Sequence, residues 1–296
     1  MSLGVLNNIS AIYAENNLNS TQASLQNTLT QLSSGSRINS GADDAAGLSL
    51  ANGLQANSAA LTQSAANASE GVGLLQVADG ALSQVTSLLN RAVTLATEAS
   101  NGTLNTAQLG AADSEYQSIL DEISNIGSTT TYNGQAVFGG TFKIFTGDGS
   151  ASGTSTDTLK LEALSSANVG DTAGSAGLAY AAGAITYTPA AGQDLSTTDL
   201  TSNANASTAL TDVYTAIQNV AAERGYLGSQ INTLNAVSNV ESTENTNVTS
   251  AENSVMATDY ASATSNLSKY EILSQTGISA LAQANSTEQM VTKLLQ

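Results

Sequence analysis

The fold is decided by residues 54–96, which read LQANSAALTQSAANASEGVGLLQVADGALSQVTSLLNRAVTLA. Apolar side chains recur there every seven residues, at Leu54, Leu61, Ala68, Leu75, Leu82, Leu89 and Ala96. The second apolar position of a heptad repeat lies four residues after the first. It is occupied by Ala65, Val72 and Val93, but by the polar residues Asp79 and Thr86 in two of the repeats. This sustained 3.5-residue repeat predicts a helix in coiled-coil contact. The helix should run from about Asp44 to Ser100, with Asn101-Gly102 as its stop.

Two other stretches show the same spacing. The first should end at Gly127 and contains Leu109, Ala112, Tyr116, Ile119, Ile123 and Ile126. The second contains Leu210, Val213, Ile217, Val220, Arg224, Leu227, Ile231 and Leu234. Three such apolar seams predict helices packed on one another, because an isolated helix of this kind is marginal in water. The spacing does not say which helix pairs with which.

Composition excludes several classes of protein. The 296 residues include 7 Lys and Arg against 24 Asp and Glu, for a net charge of −17, with no His and no Cys. A disulfide framework, a thiol nucleophile, a zinc cluster and a Ser-His-Asp triad are therefore impossible. Acidity argues against nucleic acid as a partner. No enzyme activity and no cofactor are expected.

No membrane-spanning helix and no general secretory signal are expected. The sequence has no run of about 18 consecutive apolar residues. The first 17 residues, MSLGVLNNISAIYAENN, contain neither Lys nor Arg and no continuous apolar block. A general secretory signal would need both features.

The two ends of the chain carry few charges. Residues 1–40 contain only Glu15 and Arg37, and residues 257–296 contain five charged side chains. A short seam in the first segment comprises Leu18, Leu25, Leu29 and Leu32. Amphipathic, nearly uncharged ends on an acidic body predict termini that are buried in an assembly.

The middle of the chain differs from both ends. Tyr132-Asn133-Gly134 is a turn signal, and with Val137–Phe138 and Phe142–Phe145 around Gly139-Gly140 it predicts a β-hairpin near 132–145. Residues 147–206 are rich in Gly, Ala, Ser and Thr, with short strand candidates at Leu159–Leu164 and Ala184–Thr188. The fold class predicted is mainly α: long coiled-coil helices from both termini packed as a bundle, with a β-hairpin and a small β-rich central insert.

Specific motifs at both ends resemble those of bacterial flagellin. At the N-terminal end they are Leu32-Ser33-Ser34-Gly35-Ser36-Arg37-Ile38-Asn39-Ser40 and Asp43-Asp44-Ala45-Ala46-Gly47. At the C-terminal end they are Asp259-Tyr260-Ala261, Asn266-Leu267-Ser268, Ile272-Leu273 and Leu281-Ala282-Gln283-Ala284-Asn285. Tyr132-Asn133-Gly134 matches the turn after the family's second long helix. The resemblance covers about residues 1–145 and 207–296.

This resemblance implies a structural subunit that self-assembles into the flagellar filament. It implies export through the flagellum's own type III pathway to an extracellular filament. Its partners would be copies of itself, an export chaperone, and the cap and hook-junction proteins. The domains expected are residues 1–42 with 257–296 lining the filament core, residues 43–146 with 207–256 as a helical bundle, and a surface insert at 147–206. A hook–filament junction protein and a non-flagellar secreted coiled-coil adhesin remain alternatives.

Candidate assembly and packing residues follow from the seams and motifs: Leu18, Leu25, Leu32, Arg37, Asp43, Asp44, Arg224, Leu267, Ile272 and Leu281. Asp43-Asp44 is interpreted as charge favourable to a helix N-terminus, rather than as a metal or acid–base pair. We expect Arg37 to pair with a carboxylate such as Asp43 or Asp44, within the fold or across subunits, with binding of an anion as the alternative. Arg224 is predicted to tie two helices together, with a contact between subunits as the alternative.

The resemblance also implies a receptor patch. Arg91, Leu95 and Glu115 match the pattern of flagellins that Toll-like receptor 5 recognises. The family's second arginine and the glutamate that follows it are replaced here by Val93 and Thr94. The alternative is an ordinary surface between subunits.

Overall fold

The computed structural model describes residues 8–147, 155–170, 178–181, 184–187 and 192–294. Its five helices within those ranges are α1 (Ile9–Ser34), α2 (Ala45–Ser100), α3 (Thr106–Thr129), α4 (Asn203–Met256) and α5 (Tyr260–Leu294). Its strands are β1 (Thr131–Tyr132), β2 (Gln135–Ala136), β3 (Thr141–Thr146), β4 (Ser155–Lys160), β5 (Leu178–Ala181) and β6 (Ala184–Tyr187). The predicted fold class, mainly helical with a small β-rich insert, is confirmed.

The chain forms two compact units. Unit 1 comprises Met1–Ala56 and Asn247–Gln296, and unit 2 comprises Asn57–Thr246. The hydrophobic core cluster lies entirely in unit 2, between Ala68 and Leu234. The sequence-based division into three regions, with a separate insert, stays a prediction.

The seam of α2 is partly shifted from its predicted positions. Leu61, Ala68, Leu75, Leu82, Leu89 and Ala96 are buried as predicted. The predicted alternating positions Ala65, Val72 and Val93 are only half-buried. The buried alternates lie one residue earlier, at Ser64, Gly71, Ala78, Val85, Ala92 and Ala99. Most of these are small, which lets neighbouring backbone approach: a Cβ at Gly71 would overlap Ile144 Cδ1 of β3.

Helix α4 shows the same shift. Val213, Val220, Leu227 and Leu234 are fully buried as predicted, but Leu210, Ile217, Arg224 and Ile231 are half-buried. The buried alternates are Ala209, Ala216, Glu223 and Gln230. Two of these are polar, so a pattern search restricted to apolar residue types passes over them.

Helix α3 follows its predicted seam but ends later than predicted. Tyr116, Ile119 and Ile123 are buried, and the helix continues past Gly127 to Thr129. Gly127 is required by packing, because a Cβ there would overlap the carbonyl oxygen of Leu164. At its start, Asn105 and Gln108 form a reciprocal capping box.

The β structure is more complex than the sequence predicts. A hairpin forms at Asn133-Gly134, where β1 pairs antiparallel with β2. Val137 and Phe138 belong to the core instead of pairing with Phe142–Phe145. Strand β3 pairs with β4 in a four-stranded sheet of order β3-β4-β6-β5, in which β4 and β6 are parallel. Parallel pairing across the insert leaves no local pattern in the sequence.

Two carboxylates in unit 2 should affect stability in opposite directions. Burial raises the pKa of Asp157, whereas hydrogen bonds from Thr201 and Asn205 lower the pKa of Asp199. A raised pKa in the folded state costs stability as the pH rises through it, so Asp157→Asn should raise the Tm at neutral pH by about 2 °C. This gain in Tm should vanish at pH values below the ordinary Asp pKa.

Asp199→Asn should lower the Tm at neutral pH, because it removes a carboxylate that is stabilised by hydrogen bonds. This decrease in Tm should also vanish in acid.

Thermal unfolding followed across the acidic to neutral range checks both carboxylates. Equal pH dependence of the two variants would contradict the assignment, because only one of them removes an unfavourable charge.

By length and composition, α2 also meets the criteria for a membrane span, with a mean hydropathy of 1.2 over 18 residues. Its Leu75, Leu82 and Leu89 side chains are fully buried in the core of unit 2. A long core helix can have the same length and mean hydropathy as a membrane span, so these two properties do not distinguish the two kinds of helix.

Candidate assembly surface

Helices α1 and α5 pair antiparallel in unit 1. The Asn8 side-chain amide donates to the Ala284 carbonyl at 3.1 Å near one end of the pair. At mid-length Leu18 faces Gly277, where a Cβ would lie 3.3 Å from Leu18 Cδ1. Of the predicted residues, Leu18, Leu25, Leu32, Leu267 and Leu281 are half-buried, at the seven-residue spacings that face the partner helix. Ile272 is 61% exposed and lies outside this contact.

Large apolar side chains are concentrated on the outer surface of this pair. Of fourteen exposed large hydrophobic side chains in the described part of the chain, nine belong to α1 and α5: Ile9, Ile12, Tyr13, Leu29, Tyr260, Ile272, Leu273, Ile278 and Met290. Leu29, predicted as a seam residue, is among them at 48% exposed. Neither helix contributes a described side chain to the core cluster of unit 2.

The same two helices carry few charges. Helix α1 contains only Glu15, and α5 contains Lys269, Glu271, Glu288 and Lys293. An accumulation of exposed apolar side chains with little charge is typical of a surface that binds another protein. The geometry of α1 and α5 therefore indicates an interaction surface.

Arg37 connects the two turns of unit 1. Within the described part of the chain no ion pair joins it to a carboxylate, including Asp43 and Asp44. Its pairing with a carboxylate of a neighbouring subunit stays a prediction. Its guanidinium donates to the Val255 carbonyl at 2.9 Å, and its backbone N–H donates to the Met256 carbonyl at 2.7 Å. Thr258 N–H donates back to the Gly35 carbonyl at 3.1 Å. The carbonyls at the end of α4 lack helical partners and carry partial negative charge, so they attract a guanidinium as a carboxylate would.

Arg37→Ala should loosen this connection without unfolding unit 2. We expect a loss of about 0.3–1 kcal/mol, the range for an exposed cation near a helix C-terminus. Hydrogen exchange should accelerate at the Arg37 and Thr258 amides. Arg91→Ala, which removes an exposed arginine from unit 2, serves as the control and should leave both amides unchanged. Unchanged exchange in Arg37→Ala would contradict the assigned contact.

Asp43 and Asp44 bind backbone N–H groups near the start of α2. Asp43 Oδ2 accepts from the N–H groups of Asn39 and Ser40 at 3.0 and 2.8 Å, and these bonds lower its pKa. Asp44 Oδ1 accepts from Gly47 N–H at 2.8 Å, which caps the helix. Asp44 therefore caps the start of α2, whereas Asp43 holds the turn that precedes the helix.

Arg224 ties α4 to α2 within unit 2. Its Nε and Nη2 contact the two carboxylate oxygens of Asp79 at 2.7 and 3.3 Å. Both side chains are more than a third exposed, at 36% and 39%. Arg224 therefore lies beside the buried seam, partly exposed and with a carboxylate partner.

Comparison with known proteins agrees with these features. Residues 5–143 match the bacterial flagellin N-terminal helical region, and residues 210–295 match the corresponding C-terminal region. The flagellin of Listeria monocytogenes is 34% identical, over 97% of this chain and 98% of its own length. The flagellin of Bacillus subtilis is 33% identical, over 98% of both chains. The chain belongs to the bacterial flagellin family.

One solved structure with detectable similarity is the crystal structure of Bacillus cereus flagellin. It is 30% identical and covers 59% of this chain and 88% of its own, with a TM-score of 0.43. A TM-score this low does not establish a common fold by itself, so membership in the flagellin family rests on sequence.

This flagellin is a structural subunit of the bacterial flagellar filament and polymerises with copies of itself. Both relatives match this chain over nearly its full length, including the two terminal regions. The hook–filament junction protein and the non-flagellar adhesin are not favoured. The family is one of structural proteins.

The receptor patch predicted for this flagellin is only partly on the surface of the isolated chain. Arg91 and Glu115 form an ion pair at 2.7 Å, with 53% and 46% of their side chains exposed. The pair raises the pKa of Arg91 and lowers that of Glu115. Leu95 is 4% exposed and belongs to the core.

Glu241 is a structural residue of this flagellin that the sequence analysis missed. It is 3% exposed, and its Oε1 accepts from Ser64 Oγ at 2.5 Å and from Gly147 N–H at 2.7 Å. It thereby joins α4, α2 and the end of β3. The signal that identifies it is its position seven residues after Leu234, where an acidic residue occupies a seam position.

Proposed function

We propose that the exposed apolar surface of α1 and α5 is the surface through which copies of this chain polymerise into the filament. The observation that carries the proposal is the concentration of exposed large apolar side chains, nine among those the structure describes, on two helices that together hold five charged residues. Every copy presents these low-charge apolar side chains, so one part of the surface can pack against a different part of it on the next copy.

Burial on assembly supplies an adequate driving force. Burying the exposed half of a large apolar side chain contributes about 1 kcal/mol. Nine such side chains contribute about 10 kcal/mol before the cost of association. Contacts between different patches on successive copies continue indefinitely when the rotation does not close, which generates a filament instead of a ring.

Deleting residues 257–296 tests this proposal. The full chain should form filaments that pellet and are visible by electron microscopy, whereas the truncated chain should stay in the supernatant. No described side chain of the deleted segment belongs to the core cluster of unit 2, so a cooperative thermal transition should persist. Filaments formed by the folded truncated chain would overturn the proposal.

We also propose that the chain is exported by the flagellar type III pathway and works in an extracellular filament. Its proposed partners beyond itself are an export chaperone and the cap and hook-junction proteins. Family membership supports these partners, and the apolar surface of α5 gives a monomer something to shield before assembly. Co-purification of a chaperone with the wild-type chain but not with the 257–296 deletion tests the shielding.

Recognition by Toll-like receptor 5 is a proposal that rests on Arg91 and Glu115. Both side chains are accessible, so Arg91→Ala should reduce receptor signalling if the receptor binds this patch. Because Leu95 packs in the core, it can contribute only through the shape of α2. Unchanged signalling in Arg91→Ala would contradict recognition through this pair of residues.

A further inference from the structure

The chain contains three Asn-Gly dipeptides in three different backbone environments. They are Asn52-Gly53, Asn101-Gly102 and Asn133-Gly134. Asn followed by Gly is chemically labile, because the backbone nitrogen of an unhindered glycine can attack the asparagine side-chain amide. The three sites differ in how strongly the surrounding backbone restrains the glycine nitrogen from approaching the asparagine side-chain amide.

Asn133-Gly134 forms the tip of the β1–β2 hairpin. Both residues are exposed, and neither is among the paired residues of the two strands. Their φ angles are 50° and 77°, the combination that a type I′ turn requires. Apart from Gly134 and its two chain neighbours, no atom of the described residues lies within 4 Å of the position of a Cβ on Gly134. The strands that hold the turn are two residues long each, so opening the tip disrupts little structure.

The other two sites are held more firmly. Asn52-Gly53 lies inside α2, where the glycine N–H donates to a carbonyl four residues earlier and opening requires several helical bonds to break. Asn101-Gly102 follows the end of α2. Asn101 N–H donates to the Glu98 carbonyl at 3.2 Å, and its side-chain amide donates to Thr103 Oγ1 at 3.3 Å. The Asn203 amide also donates to the Ser100 carbonyl beside it.

We propose that Asn133 is a site of spontaneous deamidation in the folded protein. The Gly134 backbone nitrogen bonds to Asn133 Cγ, the Cγ–Nδ2 bond breaks, and ammonia leaves with the proton of the glycine nitrogen. Water then opens the resulting five-membered imide at either carbonyl, giving aspartate or isoaspartate. The net reaction consumes one water, releases one ammonia and involves no oxidation or reduction.

The product changes the hairpin tip in two ways. Either product adds one negative charge to a chain whose net charge is already −17. Isoaspartate also inserts an extra carbon into the main chain of a two-residue loop, which the type I′ turn cannot accommodate unchanged. The fraction of chains that are modified at the hairpin tip therefore increases with the age of the protein.

Peptide mass spectrometry of the purified full-length chain, incubated at mildly alkaline pH, tests this proposal. Modified peptides are recognised by the mass change of NH₂ replaced by OH, and isoaspartate by its distinct fragmentation. In the folded protein Asn133 should be modified at least about tenfold faster than Asn52, as expected if its opening costs about 1.4 kcal/mol less. Asn101 should fall between them.

Incubation in concentrated urea is the control for the dipeptide's intrinsic reactivity. There the three sites should react at similar rates, because the backbone restraints are gone. Asn133→Gln should remove the signal at the hairpin and leave the other two sites unchanged. Equal rates at Asn52 and Asn133 in the folded chain, or an unmodified Asn133 beside a modified Asn101, would overturn the proposal. None of these outcomes depends on whether the chain polymerises.

Discussion

Ile272→Asp is expected to abolish filament formation at concentrations where the unaltered chain polymerises, while the isolated chain stays folded. Ile272 is 61% exposed on α5 and lies outside the α1–α5 contact, so the substitution removes nothing from the core. In the filament it would replace buried apolar area by a charge without a partner. That change costs about 3 kcal/mol or more, which raises the critical concentration by about 100-fold.

Val240→Asp is the matched control for this effect. Val240 is 56% exposed, but it lies on the part of α4 that belongs to unit 2. The variant introduces the same charge at a similarly exposed apolar position and should still polymerise. Quantitative pelleting over a concentration series gives both critical concentrations. If Ile272→Asp polymerises as readily as Val240→Asp, the surface of α5 is not the assembly surface.

Two glycines of α3 should respond oppositely to the same substitution. A Cβ on Gly127 would overlap the Leu164 carbonyl oxygen, so Gly127→Ala forces backbone to move and should cost about 1–3 kcal/mol. Around Gly110 in the same helix, no atom of the described residues beyond the helix's own nearby backbone and the glycine's two chain neighbours lies within 4 Å of a Cβ. Gly110→Ala should therefore stabilise the protein by about 0.5–1 kcal/mol, because alanine loses less backbone freedom in a helix.

Thermal unfolding followed by far-UV circular dichroism checks the pair. The two variants share a helix and differ only in their surroundings, so helix propensity alone predicts stabilisation in both. A rise in Tm for Gly127→Ala would mean that α3 and the segment around Leu164 are not packed as closely as the structure places them.

The apolar periodicity was sufficient to predict the helices and half of each seam. Positions seven apart, such as Leu75 and Leu82, are large and apolar, so their burial is visible in the sequence. The other half depends on small or polar residues such as Gly71 and Glu223, whose burial is set by what the neighbouring element presents. Residue type alone therefore assigned Arg224 to the seam and overlooked Glu241.

Contacts with backbone groups that are distant in the sequence could not be predicted from residue patterns. Arg37 suggested an ion pair because two aspartates follow it closely, yet it binds carbonyls at the end of α4 more than 200 residues away. Gly127 suggested a helix stop, since glycine often follows a helix, but it marks a close approach by the chain at Leu164. In both cases the deciding partner is set by tertiary structure.

Hydroxyl-radical footprinting of the purified chain before and after polymerisation tests most directly whether α1 and α5 are covered by neighbouring copies. Tyr13, Tyr260 and Met290, between 55% and 68% exposed in the isolated chain, should be oxidised readily as monomer and become protected in filaments. Filaments in which these three side chains are oxidised as fast as in the monomer would contradict the account.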